Sequence, residues 1–131
     1  MLKVLLVDDD EIVILIHTQM VKMSGMDSNP QSFINGKLAF DYINNSPQNE
    51  KFLVLLDLNM PVWNGWDFLN ALKTLKAKNN VFVVIVTSSV DKVDYDRAKA
   101  YEQVLDYIEK SLSLDKCKNI MSLPEIKNFY K

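Results

Sequence analysis

The chain of 131 residues has the length of a single domain, and its 15 basic and 17 acidic side chains give a net charge of −2. Its single cysteine excludes an internal disulfide and a cysteine-ligated zinc site, its single histidine excludes a multi-histidine metal centre, and its three glycines lie too far apart for a glycine-rich phosphate loop. An acidic chain with one arginine is also a poor candidate for sequence-specific DNA binding, so carboxylates are the abundant reactive groups that remain.

Five short apolar segments recur along the chain, and each is a predicted β-strand. Three of them (LKVLLV, FLVLL and VFVVIV) are apolar almost throughout, which is typical of strands buried on both faces of a parallel sheet. The second segment is weaker and follows Pro30. The predicted strands are Leu2–Val7, Gln31–Ile34, Phe52–Leu56, Val81–Val86 and Val104–Ile108.

Helical patterns separate the strands, and the last one ends at Pro124. In the first helix, apolar residues at three- and four-residue steps predict a buried face made of Val13, Ile16, Met20 and Met23. The predicted helices cover residues 10–24, 36–45, 65–77, 91–101 and about 112–123. Five alternations of strand and helix predict an α/β fold, a three-layer (βα)5 doubly wound parallel sheet of five strands.

Polar residues follow four of the five predicted strands. Because ligands bind beyond the carboxyl ends of the strands in such a sheet, these side chains are expected to share one pocket. Clustered carboxylates there require a cation, and oxygen ligands favour Mg²⁺. A metal, an ammonium and a hydroxyl around one aspartate are suited to phosphoryl transfer. The segments are Asp8–Asp10, Asp57–Pro61, Thr87–Ser89 and Tyr107–Lys110.

Each of these segments also has an ordinary structural explanation when it is taken alone. Asp10 is expected to cap the first helix, and residues 59–61 have the composition of a turn. Thr87–Ser89 could cap the fourth helix, and a lysine after a strand usually faces solvent. The functional interpretation is favoured because complementary charges follow four strands at once.

Four segments of the sequence, VLLVDDDE, LLDLNMPVWNGWDFL, VIVTSS and DYIEKS, together resemble the receiver domains of response regulators in two-component signalling. The resemblance covers about residues 1–122 and implies a flavodoxin-like sheet with strand order 2-1-3-4-5. It implies one receiver domain over residues 1–123, followed by a short C-terminal tail over 124–131 and no output domain.

The resemblance also implies a phosphorylation site with a bound Mg²⁺ ion. Asp57 is similar to the aspartate that accepts the phosphoryl group. Asp8 and Asp9 are similar to the acidic pair that holds the metal together with Asp57, and Asn59 is similar to the residue that supplies a backbone carbonyl ligand.

Three further positions carry roles by the same resemblance. Lys110 is similar to the lysine that pairs with the phosphoryl group, Thr87 to the switch hydroxyl, and Tyr107 to the rotating aromatic residue of the switch. Ser111 departs from the pattern, because the family usually has proline after this lysine. We expect the Lys110–Ser111 bond to be cis nevertheless, since the pocket needs the ammonium in place.

The resemblance implies a stand-alone signalling switch and not an enzyme with a separate substrate. A histidine kinase or histidine phosphotransfer protein would present a phosphohistidine, and the surface of the fourth helix, fifth strand and fifth helix would then change toward an unidentified protein target. We expect no nucleic-acid or membrane partner, a monomer or a weak phosphorylation-dependent dimer, and a cytoplasmic location. The location follows from an N-terminal apolar run too short for a signal peptide.

Two other functions are compatible with parts of the pattern. An aspartate-based, Mg²⁺-dependent phosphohydrolase of the haloacid-dehalogenase kind also needs an aspartate, a hydroxyl and a lysine, but Asn59 stands where that chemistry needs a second aspartate for proton transfer. A flavodoxin-like cofactor binder would need a Ser/Thr/Gly phosphate loop where this chain has Asp8–Asp10.

The remaining features have structural interpretations. His17 is expected to be a satisfied or exposed helix histidine, Trp63 and Trp66 to be packing or loop anchors, and Cys117 to be an inert thiol. Residues 110–131 carry a local excess of positive charge, which predicts either a solvated basic face or a docking surface.

Overall fold

A single parallel sheet of five strands forms the centre of the protein, whose computed structural model describes residues 1–131. The sheet order is β2-β1-β3-β4-β5 and every neighbouring pair is parallel, as predicted. All five strand predictions are correct to within one residue at either end. The strands are β1 Leu2–Val7, β2 Gln31–Phe33, β3 Lys51–Leu56, β4 Val81–Thr87 and β5 Val104–Glu109.

Five helices connect the strands, and each begins after a side chain that caps its free N–H groups. Such a cap stabilises a helix by about 1 kcal/mol. The longest helix, α1, has 14 residues, and no helix has the length and apolar composition needed to cross a bilayer. The helices are α1 Glu11–Ser24, α2 Gly36–Asn44, α3 Gly65–Leu72, α4 Lys92–Ala98 and α5 Leu114–Met121, capped by Asp10, Asn35, Asn64, Asp91 and Ser113.

Two apolar cores lie on opposite faces of the sheet, because successive residues of each strand point to opposite sides. Side chains of α2, α3 and α4 fill one core, and those of α1 and α5 fill the other. Leu5 and Leu6, neighbours in β1, belong to different cores. This arrangement confirms the predicted three-layer, doubly wound architecture.

The predicted buried face of α1 is wrong in part. Ile16 and Met23 are 44% and 64% exposed, whereas His17 and Val21 are buried against the sheet and α5. The helix sequence EIVILIHTQMVKMS is apolar on most of its circumference, so periodicity alone does not select the inward side. Packing against α5 and β1 selects it instead.

The predicted helix over 65–77 is also too long, because α3 ends at Leu72. The hydroxyl of Thr74 donates a 2.7 Å hydrogen bond to the carbonyl of Ala71, a local bond that competes with continuation of the helix. Leu75 still packs against the core from the turn that follows.

The last eight residues pack against the core on the side of α1 and α5. Ile126 is fully buried, and the ring of Phe129 makes an edge contact with Phe82 of β4 at 6.3 Å between centroids. A short 3-10 turn, Lys127–Tyr130, ends the chain. The segment therefore contributes apolar contacts to the domain.

Tyr130 allows a prediction about stability, because its hydroxyl is buried and makes no hydrogen bond. Tyr130→Phe is expected to raise the free energy of unfolding near neutral pH by about 1 kcal/mol, since a buried unpaired hydroxyl is unfavourable. Burial, with a smaller contribution from the charge of Asp27, raises the pKa of Tyr130 to about 12 from its usual value near 10. The unfolded chain therefore loses the phenolic proton first as the pH rises, and the folded state loses stability between about pH 10 and 12.

Urea unfolding at neutral pH and at about pH 11 tests both parts of this prediction. The stability difference between Tyr130→Phe and the wild type should grow at the higher pH. An equal loss of stability in the two proteins would show that Tyr130 does not titrate as described.

Candidate functional site

Asp8 and Asp57 lie side by side because β1 and β3 end at the same level of the sheet. Val7 pairs with Leu56 in the register of the two strands, and the N–H of Asp57 donates to the carbonyl of Val7 at 2.9 Å. Each aspartate follows its strand directly, so both carboxylates reach the same edge. Their side chains are largely buried, with residue exposures of 4% for Asp8 and 5% for Asp57.

Asp9 completes an acidic cluster with these two residues. One carboxylate oxygen from each of Asp8, Asp9 and Asp57 lies within 4.8 Å of the others, and Asp9 is exposed at the mouth. Three carboxylates at this separation repel one another, and a divalent cation bound by oxygen ligands relieves that repulsion. The chemistry of the donors therefore fits Mg²⁺.

Lys110 supplies the one positive charge in the site. Its Nζ lies 2.7 Å from Oδ2 of Asp8 and 3.4 Å from Oδ2 of Asp57, and its side chain is 17% exposed. The structure thus brings together the predicted acceptor, the predicted acidic pair and the predicted lysine. The ammonium balances one of the three carboxylate charges, which leaves a net negative pocket.

The pKa values of both Asp57 and Lys110 are raised, for different reasons. Burial, reinforced by the charge of Asp8, raises the pKa of Asp57 above its usual value, although Lys110 and the Leu58 N–H oppose this. Burial alone would lower the pKa of Lys110, but its hydrogen bond to Asp8 and the charge of Asp57 outweigh burial, so the pKa is raised. The ammonium is therefore a fixed positive charge beside the buried carboxylate.

Asn59 lies two residues beyond Asp57 in the loop after β3 and is exposed. Its backbone carbonyl accepts no hydrogen bond from another backbone N–H or from a side chain. No hydrogen bond within the chain therefore competes for this oxygen, and its role as a metal ligand stays a prediction.

Thr87, at the end of β4, is fully buried and holds the neighbouring loops through both of its oxygens. Its carbonyl accepts the N–H of Lys110 at 2.9 Å, and its Oγ1 accepts the N–H of Ser89 at 3.2 Å. The hydroxyl proton is therefore left free to be donated elsewhere.

Ser89 belongs to a segment that was predicted to lie at the pocket, but its role as a link was not predicted from the sequence. Its N–H donates to Thr87, its carbonyl accepts the hydroxyl of Tyr107 at 3.2 Å, and its own hydroxyl donates to Asp94 of α4 at 2.9 Å. Ser89 thus links the predicted switch hydroxyl, the predicted switch aromatic residue and α4. Its only sequence signal was the run of polar residues after β4, which also fits a helix cap.

Tyr107 is partly buried beside α4. Its ring makes an edge contact with Tyr95 at 5.5 Å between centroids. Burial is the main cause of a raised pKa at Tyr107, so the phenol keeps its proton at neutral pH.

The loop between Asp57 and α3 is tightly constrained. The N–H of Gly65 donates to the carbonyl of Leu58 at 3.0 Å, and Asn64 and Asp67 form a reciprocal cap at the start of α3. Val62 has a φ of 67°, a left-handed conformation that is unfavourable for a β-branched residue. Backbone strain is thus present five residues after the predicted acceptor.

The two tryptophans of this region pack against aromatic neighbours, in line with their predicted role as anchors. Trp63 lies against Phe40, and its carbonyl accepts the N–H of Gly36, which ties the loop to α2. Trp66 stacks on Tyr101 at 6.0 Å between centroids, and the guanidinium of Arg97 lies 4.2 Å from the centre of its ring.

The peptide bond between Lys110 and Ser111 is cis, as predicted.

Comparison with known proteins identifies the family. The sequence profile of the response regulator receiver domain matches residues 4–122. The chain belongs to this family. The receiver domain is 28% identical over 123 residues to an uncharacterized response regulatory protein of Staphylococcus epidermidis, covering 94% of this chain and 46% of that protein. It is 28% identical over 130 residues to the probable methanogenesis regulatory protein FilR2 of Methanothrix harundinacea, covering 97% of this chain and 82% of that protein.

Solved structures agree with this assignment. The receiver domain superposes on a two component response regulator from Cytophaga hutchinsonii with a TM-score of 0.82 and 29% sequence identity, covering 97% of both chains. The chain spans less than half the length of the Staphylococcus epidermidis relative, so the activity of that whole protein does not transfer to it.

Proposed function

We propose that this receiver domain is a signalling switch that accepts a phosphoryl group on Asp57. The donor would be a phosphohistidine of a histidine kinase or histidine phosphotransfer protein. The observation that carries the proposal is the position of Asp57, a buried carboxylate beside two further carboxylates and 3.4 Å from the Lys110 ammonium. Membership of the receiver family supports the same function.

The transfer is a displacement at phosphorus. A carboxylate oxygen of Asp57 forms the new P–O bond, the P–N bond to the donor imidazole breaks, and the imidazole leaves with the electron pair and takes up a proton. Mg²⁺, held by Asp8, Asp9, Asp57 and the carbonyl of Asn59, would neutralise charge on the phosphoryl oxygens.

The chain's own groups position the phosphoryl group and its charge. The Lys110 ammonium lies where it can pair with a phosphoryl oxygen on Asp57, and its raised pKa keeps it charged. The Thr87 hydroxyl can donate its proton to another phosphoryl oxygen, because in its bond with the Ser89 N–H the hydroxyl oxygen acts only as an acceptor. Both contacts would stabilise the phosphorylated form of Asp57.

The signal would leave the site through Ser89. If Thr87 turns toward the phosphoryl group, its hydrogen bond to the Ser89 N–H is lost and Ser89 is free to move. Because Ser89 also bonds to Tyr107 and Asp94, such a movement would alter the contacts of β5 and α4. Val90 and Val93, 78% and 71% exposed, lie in and after this loop. We therefore propose that the surface formed by α4, β5 and α5 changes toward a downstream protein.

The site does not favour the phosphohydrolase alternative. The residue two positions after Asp57 is Asn59, whose amide cannot carry a proton to and from water. A phosphoryl group on Asp57 would accordingly persist, which suits a signal more than turnover.

A cytoplasmic location and a monomer or weak phosphorylation-dependent dimer are also part of the proposal.

Labelling with a small phosphodonor tests the function. Incubation with acetyl phosphate and Mg²⁺ should add one phosphoryl group to the wild type, and Asp57→Asn should abolish it, because the amide is not a nucleophile. Intact-protein mass spectrometry measures the product. Chelation of Mg²⁺ should prevent labelling as well.

Asp41→Asn is a matched control, since it makes the same chemical change at a half-exposed aspartate of α2, which pairs with Lys37 outside the acidic cluster. It should be labelled like the wild type. Unlabelled wild type, or labelling that survives in Asp57→Asn, would refute the proposed function.

A further inference from the structure

The loop between β5 and α5 places Lys110 in the site, and its backbone is held on both sides of that residue. Lys116 of α5 donates from Nζ to the carbonyls of Glu109 and Ser111, at 2.7 and 2.9 Å. On the far side, the N–H of Leu112 donates to Nε2 of His17 at 3.1 Å. A proline at position 111 would fix the backbone angle φ of that residue, whereas Ser111 does not. The hydrogen bonds from Lys116 and to His17 therefore define the course of the loop.

His17 reaches this loop from a different part of the chain. It lies on the inward side of α1, is 4% exposed, and is separated from Leu112 by 95 residues of sequence. Leu112 is also buried, at 3% exposure, and its N–H makes no other hydrogen bond. The bond therefore joins α1 directly to the segment that carries Lys110.

The hydrogen bond requires the neutral imidazole. Nε2 accepts the Leu112 N–H, so the ring proton is on Nδ1. Burial lowers the pKa of His17, with Lys110 and Lys116 acting in the same direction and Asp8 opposing, so the neutral form is present at neutral pH.

We propose that His17 is a positioning residue for phosphorylation: by accepting the Leu112 N–H, it fixes the loop that holds the Lys110 ammonium 2.7 Å from Asp8 and 3.4 Å from Asp57. This role rests on the proposed function of Asp57. It assigns chemistry to the single histidine of the chain without making it a phosphodonor. Small displacements of a charged group from its productive position reduce rates strongly, so the effect on rate is measurable.

His17→Leu removes the acceptor and keeps an apolar side chain in the core. It is expected to lower the initial rate of Asp57 phosphorylation by acetyl phosphate and Mg²⁺ about tenfold. His17→Gln should restore most of the rate, because its amide oxygen can accept the same N–H. Gln19→Leu, at an exposed position of the same helix, is the control and should leave the rate unchanged.

A double-mutant cycle with Lys110→Ala separates positioning from a general structural effect. If His17 acts through Lys110, then His17→Leu should change the residual rate of Lys110→Ala by less than about twofold. An equal tenfold loss in both backgrounds, or no rescue by His17→Gln, would overturn the proposal. If His17→Leu were phosphorylated at the wild-type rate, the positioning role would be overturned too. The proposed function would still stand in that case, because the wild-type protein would be labelled.

Hydrogen exchange of the Leu112 amide in the wild-type protein gives a test that does not depend on the folding of any variant. The amide should exchange slowly, at the rate of the protected core. Exchange as fast as that of a free loop amide would overturn the positioning role. Wild type that is not labelled at all would refute the proposed function and this inference together.

Discussion

Lys110→Ala is expected to slow the phosphorylation of Asp57 by acetyl phosphate and Mg²⁺ by about 10²–10³-fold, the usual loss when one preorganised charge or donor is removed. The ammonium forms ion pairs with Asp8 and Asp57, and no other basic side chain pairs with these two carboxylates. The initial rate of phosphoryl incorporation measures the effect. A rate within a few-fold of the wild type would show that the lysine does not act on the transferred group.

The same substitution should destabilise the protein when Mg²⁺ is absent. Removal of one partner from a buried ion pair costs about 3 kcal/mol, and here two largely buried carboxylates lose their counter-charge. Mg²⁺ should restore part of this loss, because binding to the folded state alone raises stability. Urea unfolding with and without Mg²⁺ gives both quantities.

Lys92→Ala is the matched control for stability. Lys92 also forms a 2.7 Å ion pair, with Asp96, but these side chains are 84% and 51% exposed. Exposed pairs contribute about 0.5 kcal/mol, so the control should change stability little. Equal losses in the two variants would contradict the importance that we give to burial of the Lys110 site.

Gly65→Ala is expected to destabilise the protein by about 3 kcal/mol and to slow phosphorylation at the same time. A Cβ at Gly65 would lie 2.6 Å from the carbonyl oxygen of Asp57 and 3.0 Å from Cα of Leu58. Both are backbone atoms, so relief requires movement of the segment that carries the acceptor. Thermal unfolding and the rate of labelling would be measured on the same samples.

Gly25→Ala separates this crowding from the ordinary conformational cost of replacing glycine. Gly25 has a φ of 84° at the end of α1, but a Cβ there would meet nothing within 4 Å. Its replacement should cost about 1 kcal/mol and leave the labelling rate unchanged. If the two glycine variants behaved alike, close approach of Gly65 to Asp57 would not be the cause.

The fold and the main parts of the site were predictable from the sequence because they depend on simple patterns. Continuous apolar segments such as VFVVIV indicated buried parallel strands. Since such strands end at one edge of the sheet, Asp8, Asp57 and Lys110 were expected together. The structure places the Lys110 ammonium 2.7 Å from Asp8 and 3.4 Å from Asp57.

The remaining features depend on tertiary contacts that no local pattern encodes. Apolar residues lie on most sides of α1, so the periodicity of the sequence placed Ile16 on the inward face. In the structure, packing against α5 places His17 on that face instead. The same error concealed the contact between His17 and Leu112, which lie 95 residues apart. Ser89 was missed as a link because two of the three bonds that join it to Thr87, Tyr107 and Asp94 use its backbone atoms, which every residue has.

The central claim is that Asp57 forms an acyl phosphate in an Mg²⁺ site built by Asp8 and Asp9. Borohydride reduction converts an aspartyl phosphate to homoserine, and peptide mass spectrometry then locates the modified residue. After incubation with acetyl phosphate and Mg²⁺, we predict homoserine at position 57 and unmodified aspartate at positions 8 and 9. Homoserine at either of those two positions, or an unmodified residue 57 in a protein that carries the phosphoryl group, would contradict the account.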